Sequence, residues 1–180
     1  MRRLPNLQFD KLTKQQRRIY DEIASHHPSV RGLWAIWLTV PEIADVAHKF
    51  YLLLRVPGKL EPRLVVLLVL VMARHWSSQF EWFLHEGQAH KVGISADVIE
   101  AIRAQRRPVF AREDERLVYD VVTEINDSRT LCTASYKRAA AALGNELLVE
   151  LITTAGFYAM VSMMLNVFDA EIPGGNKPLP

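Results

Sequence analysis

Apolar residues recur along the chain at spacings of three and four, while alternation with period two is scarce. The pattern predicts an all-α protein. Thr13-Lys14-Gln15-Gln16 has the form of a capping box. It opens a helix to about Ser25 whose inner face holds Ile19 and Ile23, and His26-His27-Pro28 closes it. Residues 28–40, with Gly32, Trp34 and Trp37, read as irregular. Pro41 opens a helix to about Leu54, and Val56-Pro57-Gly58 is a turn. Pro62 opens a helix to about Trp76 that is apolar on every side, the mark of a buried central helix.

Ser78-Gln79-Phe80-Glu81 repeats the capping-box form and predicts a helix to about His90, ended near Gly93. Ser95 caps a short helix to about Ala104. Glu113, Asp114 and Glu115 suit the start of another, to about Ile125, with Asn126-Asp127-Ser128 as a loop. Two last helices, 133–143 and 145–168, are divided by Gly144. A tail rich in proline and glycine, 171–180, cannot continue the second. No linker interrupts the chain, so residues 1–180 are expected to form one domain.

Composition adds limits. Of 180 residues, 49% are hydrophobic, enough for a sizeable core, and the 23% that are charged leave a net charge of only +2. Such a balance gives no push toward nucleic acid, and the cluster Arg103, Arg106, Arg107 reads as a solvated helix end. Residues 147–168 are long enough to span a bilayer, but Glu150 within them favours a core or interface helix, so no membrane partner is expected. The basic start, Met1 to Asn6, lacks the apolar run of a signal peptide. One cysteine, Cys132, cannot form an internal disulfide or a Cys-x-x-Cys pair; a cytoplasmic location is expected.

The chemistry gathers between Ser78 and His85. Helix positions three and four apart face one way, so Ser78, Glu81 and His85 share a stripe, which Arg74 joins only if the preceding helix runs on unbroken. Glu and His can move protons, and Arg can hold a carboxylate in a forked pair. A plainer reading is open at the same residues, with Glu81 as the capping partner of Ser78 and His85 as its i,i+4 companion. No metal site is expected, because Glu81 and His85 supply two ligands and no further cluster repeats. His26, His27 and His48 are scattered in sequence and read as surface residues; Met160, Met163 and Met164 read as packing.

The helix Leu64 to Ala73, the stretch Trp76 to His85, Gly93-Ile94-Ser95, Val98 to Ile102, Leu148 to Leu151, Gly156-Phe157-Tyr158 and Leu165 to Phe168 follow one another in a telling order. In these pieces the chain resembles the carboxymuconolactone decarboxylase-like family of the alkylhydroperoxidase D-like (AhpD-like) superfamily. The resemblance implies an all-helical fold and a homotrimer or homohexamer; that the tail is an arm exchanged between subunits is an expectation added to it. The peroxidase branch carries Cys-x-x-Cys-x-x-x-His. Set against it, Ser78 and Glu81 stand at the two cysteines, His85 keeps the histidine, and the branch's upstream acid falls at Val66. Thiol peroxidase chemistry needs a thiolate, which this stretch lacks.

The cysteine-free branch is similar to the decarboxylases, which remove CO2 from a carboxylated lactone without metal or organic cofactor. On that footing the expected roles are that His85 delivers or relays a proton and that Glu81 orients His85 or acts as the partner acid–base. Arg74 or His75 would bind an acidic small-molecule substrate, Trp82 and Tyr158, with Trp76, would wall the pocket, and Ser78 would add a hydrogen bond. A non-enzymatic small-molecule-binding or assembly protein of the same fold is the competing expectation.

Overall fold

The computed structural model describes residues 3–5, 7–27, 29–56 and 58–180. Pro28 and Pro57, expected at a helix end and in a turn, and residues 1, 2 and 6 of the basic start lie outside the described residues. Among the described residues there are α-helices and one short 3-10 turn, and no strand. The helices are α1 (Lys14–His26), α2 (Leu33–Trp37), α3 (Pro41–Arg55), α4 (Pro62–His75), α5 (Gln79–Lys91), α6 (Ala96–Arg103), α7 (Glu113–Ser128) and α8 (Thr133–Val167). They fall into two compact units: residues 1–58 with 164–171, and residues 59–163 with 172–180.

In the first unit, the Thr13 capping box forms as the sequence predicts: the Thr13 hydroxyl accepts from the Gln16 N–H, and the Gln16 side chain accepts from the Thr13 N–H. Ile19 and Ile23 turn inward against α3. The segment read as irregular contains α2, all five of whose residues are buried. Burial on every side erases the periodicity that would have revealed it.

The three histidines read as surface residues converge: His26 is exposed as expected, while His27 is half-buried and His48 buried. The His48 ring lies 5.3 Å from His26 and 5.5 Å from His27, and Trp34 stands 4.7 Å from His27 and 5.3 Å from His48. His48 is 1% exposed, and the Nε2 atoms of His27 and His48 are buried without a hydrogen-bond partner. Burial, then the neighbouring His48 and His26, holds the His27 imidazole down at about 4. Burial and His26 also lower His48, against the opposing pull of Glu22 and Asp45.

The second unit is built on α4. Every residue from Arg63 to Ala73 is buried, as its unbroken apolar character predicts, and α5, α6 and α7 pack around it. Each fully buried Leu or Val here contributes about 2 kcal/mol. Arg63 is the charged residue in this stretch, and it ties α4 to the start of α7. Its guanidinium donates to Glu115 at 2.5 Å, Asp114 at 2.6 Å and Glu61 at 3.1 Å. The helix α7 runs through the residues expected as a loop and stops when Arg129 turns left-handed at φ 61°, its N–H bonded to the Ile125 carbonyl.

The helix α8 is broken at Gly144, with φ 73° and ψ 167°, where the sequence divides two helices. It is long and apolar enough to cross a membrane by length and composition, yet 44% of that stretch is buried in the protein. Its Glu150 carboxylate accepts the N–H groups of Lys59 and Leu60 at 3.1 and 2.9 Å. A Cβ added at Gly144 meets nothing within 4 Å, so the backbone alone opposes a side chain there. Gly144→Ala is expected to cost about 1–2 kcal/mol, because that φ/ψ region is nearly closed to other residues. Thermal unfolding by circular dichroism checks it, and an unchanged midpoint would contradict the strain.

Within this chain the tail folds back on the second unit. Ile172 and Leu179 are buried, and residues 178 and 179 bond to α5 and α6 of the same chain.

Candidate active site

The site is set by the abrupt passage from α4 to α5. After His75 the chain turns through Ser77, left-handed at φ 48°, and the Ser78 N–H closes back on the Ala73 carbonyl at 2.7 Å. Arg74 therefore does not extend the stripe of α5. Its Nε donates to the Arg103 carbonyl at 2.7 Å and its NH1 to the Ser77 hydroxyl at 3.2 Å, so it braces the turn. His75 is exposed and sits edge-on to Trp76 at 6.1 Å. The two residues expected to bind an acidic substrate contact Arg103, Ser77 and Trp76 rather than Glu81 and His85.

Ser78 is the N-cap of α5, and its carbonyl accepts the Trp82 N–H at 3.0 Å. The capping box expected here does not form. The Ser78 hydroxyl makes no cap hydrogen bond and is buried without a partner. Glu81 turns along the helix instead. Its Oε1 lies 3.1 Å from His85 Nδ1, which also lies 3.0 Å from the Glu81 carbonyl oxygen. A proton on Nδ1 donates to these oxygens and leaves Nε2 as the acceptor of the ring. Both side chains are almost wholly removed from water, 4% and 8% exposed. Such burial strengthens a carboxylate–imidazole pair and fixes the tautomer.

Tyr158 of α8 stands edge-on to the His85 ring, 5.8 Å between centroids and 87° between planes, and is itself buried. Ser162, one turn further along α8, is fully buried, and its hydroxyl has no hydrogen-bond partner. Sequence reading passed over it, since a serine on an apolar helix looks like core filler; a hydroxyl four residues from Tyr158 was the available signal.

Trp82 is fully buried on the neighbouring stripe of α5. It donates its Nε1–H to Glu86 at 3.1 Å and lies under the Arg103 guanidinium, 5.1 Å from the ring centroid. The structure thus places Ser78, Glu81 and His85 on one stripe, adds Tyr158, sets Trp82 beside it, and leaves Arg74 and His75 outside.

This whole arrangement of helices has a solved counterpart. The chain shares its fold with a crystal structure of an uncharacterized peroxidase-related protein from a Silicibacter species. The TM-score is 0.78 at 12% identity, over 99% of this chain and 95% of that one. The all-helical fold expected from the sequence is the fold observed, and it is the fold of that protein. No protein-family model and no curated protein matches the sequence.

The sulfur chemistry of a thiol peroxidase has no residue on α5 to carry it. Cys132 is exposed at the start of α8, its Sγ 3.4 Å from the Ser135 hydroxyl. Val66 is buried in α4 at 3% exposure. Among the described residues no three His, Cys, Asp or Glu side chains come together as metal ligands. Two open clefts of the second unit, about 630 and 410 Å³, are lined by other residues, among them Arg106 and Phe110 in the first and Tyr136 and Ile152 in the second.

Proposed function

We propose that Glu81 and His85 form a proton-transfer pair in a cofactor-independent carboxy-lyase acting on a small carboxylated lactone or ring acid. The observation that carries the reading is the buried pair itself, Oε1 to Nδ1 at 3.1 Å, with a Ser78 hydroxyl left free of the capping role. In the reaction, the bond between the ring carbon and the carboxylate breaks and CO2 leaves. The electron pair passes into the unsaturated lactone carbonyl, and His85 in its protonated form gives a proton to the ring carbon. Solvent returns that proton to the imidazole. Glu81 stabilises the imidazolium and keeps Nε2 toward the substrate, the role a carboxylate plays beside a catalytic histidine. The hydroxyls of Ser78 and Ser162 offer hydrogen bonds that no protein group uses.

The test is CO2 release from a panel of carboxylated lactones and β-keto acids, with Glu81→Gln and His85→Ala beside the wild type. Release by the wild type should fall by about 10²–10⁴-fold in His85→Ala, the usual contribution of a general acid. Full turnover in both variants would remove the pair from the mechanism. A second reading, small-molecule binding without chemistry, is favoured by the near-complete burial of both groups. It predicts ligand binding that survives Glu81→Gln and no CO2 from any compound. The lyase reading also expects self-association as a homotrimer or homohexamer in the cytoplasm. Val149, Ile152 and Met163, exposed on α8 at helical spacing, give such an assembly apolar surface.

A further inference from the structure

The last nine residues make a specific closure that the proposed chemistry leaves unexplained. The Gln79 side chain pairs with both backbone groups of Leu179: its Nε2 donates to the carbonyl at 3.0 Å, and its Oε1 accepts the N–H at 2.9 Å. Arg103 donates from NH1 to the Pro178 carbonyl at 2.6 Å. The same guanidinium pairs with Glu86 of α5 and covers the Trp82 ring. Gln79, Trp82 and Glu86 are spaced three and four apart on α5. Each is one position beyond Ser78, Glu81 and His85, so the tail and Arg103 close the stripe next to the one that holds the proton-transfer pair.

The segment between is built to be held only at its ends. Ile172 and Leu179 are buried at 8% and 4% exposure, while residues 173 to 177 are exposed. Gly174 and Gly175 both take positive φ, and the Gly175 N–H bonds to the Ile172 carbonyl at 2.9 Å. A few hydrogen bonds and two apolar anchors must offset the ordering of the whole segment, which places it among the parts of a fold that open most readily.

We propose that residues 172–180 are a strap that gates access to Glu81 and His85 by fastening on Gln79 and Arg103. The proposal rests on the reading of that pair as the site, and it names the regulation of that site. An open strap frees the face of α5 at Gln79 and Trp82 and gives a small molecule a path to His85 Nε2. A closed strap keeps bulk water from the pair, as a proton delivery to carbon requires.

The test reads access and not turnover, so it stands whether or not CO2 is ever released. Wild type, Gln79→Ala and a chain truncated after Glu171 are treated with diethyl pyrocarbonate, which acylates neutral imidazole, and each histidine is followed by mass spectrometry. The exposed His75 and His90 serve as internal references. Acylation of His85 at least five-fold faster in Gln79→Ala, with His75 and His90 unchanged, is the expected result. The truncated chain should match or exceed it. An unchanged His85 rate in Gln79→Ala, with the Leu179 amide shown by hydrogen exchange to be released, would overturn the proposal. A uniform rise at every histidine would overturn it too, by placing the effect in global unfolding. If the truncated chain does not fold, Gln79→Ala alone decides, since it removes both bonds to Leu179 and keeps the rest of the tail.

Discussion

Replacing Arg63 by alanine is expected to lower the free energy of unfolding by about 3–5 kcal/mol. Arg63 and Glu115 are each 6% exposed at the side chain and meet at 2.5 Å, so the variant leaves a largely buried carboxylate without its guanidinium partner. The neighbouring Asp114 shows the pull of the same guanidinium. Burial pushes its carboxyl up, yet the hydrogen bonds from Arg63 and Arg112 bring it net below the usual range. Urea unfolding followed by circular dichroism at neutral pH measures the loss. The double variant Arg63→Met with Glu115→Leu removes both charges and should recover most of it, since a well-packed apolar pair often equals a buried ion pair in stability. A loss under about 1 kcal/mol in Arg63→Ala would mean that Glu115 finds water, and that the α4–α7 seam is looser than its burial implies. The consequence reaches the site because α4 is the helix whose end fixes the Ser77 turn and hence the start of α5.

What the sequence carried well was anything written in a repeating pattern. The all-apolar run after Pro62 announced a central helix, and α4 is buried from Arg63 to Ala73. Gly144 announced a break, and the backbone turns there at positive φ. What it carried poorly was anything decided by contacts between distant segments. The string Ser-x-x-Glu is the same at Ser78 whether the carboxylate turns back to the cap or forward to His85, and only packing around α5 chooses the second. Arg74 lies four residues before Ser78, a helical neighbour by count, but the left-handed Ser77 rotates it off the stripe and onto Arg103. His48 stands some twenty positions from His26 and His27, so nothing local hints that both meet its ring. Ser162 was invisible for a different reason. A buried hydroxyl without a partner is a property of its surroundings, and one serine in an apolar helix has no pattern.

The histidine cluster makes the first unit the acid-sensitive part of the molecule. His27 is held from its ordinary 6.5 down to about 4, first by burial and then by His48, His26 and Arg55. His48 moves the same way, by burial and His26, with Glu22 and Asp45 pulling against it. Between pH 6.5 and about 4 the unfolded chain therefore binds protons that the folded chain refuses. Stability is complete above pH 6.5, falls as pH drops through that window, and levels off near 4. At about 1.4 kcal/mol per pH unit the ceiling for His27 is about 3 kcal/mol, and its partly open side reduces this toward 2. Carboxylates whose values are depressed, such as Asp45 and Asp114, lose their contribution at lower pH, below their ordinary value of 3.8, so the two regimes separate. Urea midpoints between pH 7.5 and 4.5 should fall for the wild type and stay much flatter for His27→Phe, which keeps a ring against Trp34 and Tyr51 without a titrating nitrogen. An equal slope in both proteins would move the acid sensitivity away from this cluster. A flattened slope would show that two imidazoles packed against one tryptophan, with Nε2 atoms that find no partner, cost the folded state a proton it would otherwise take.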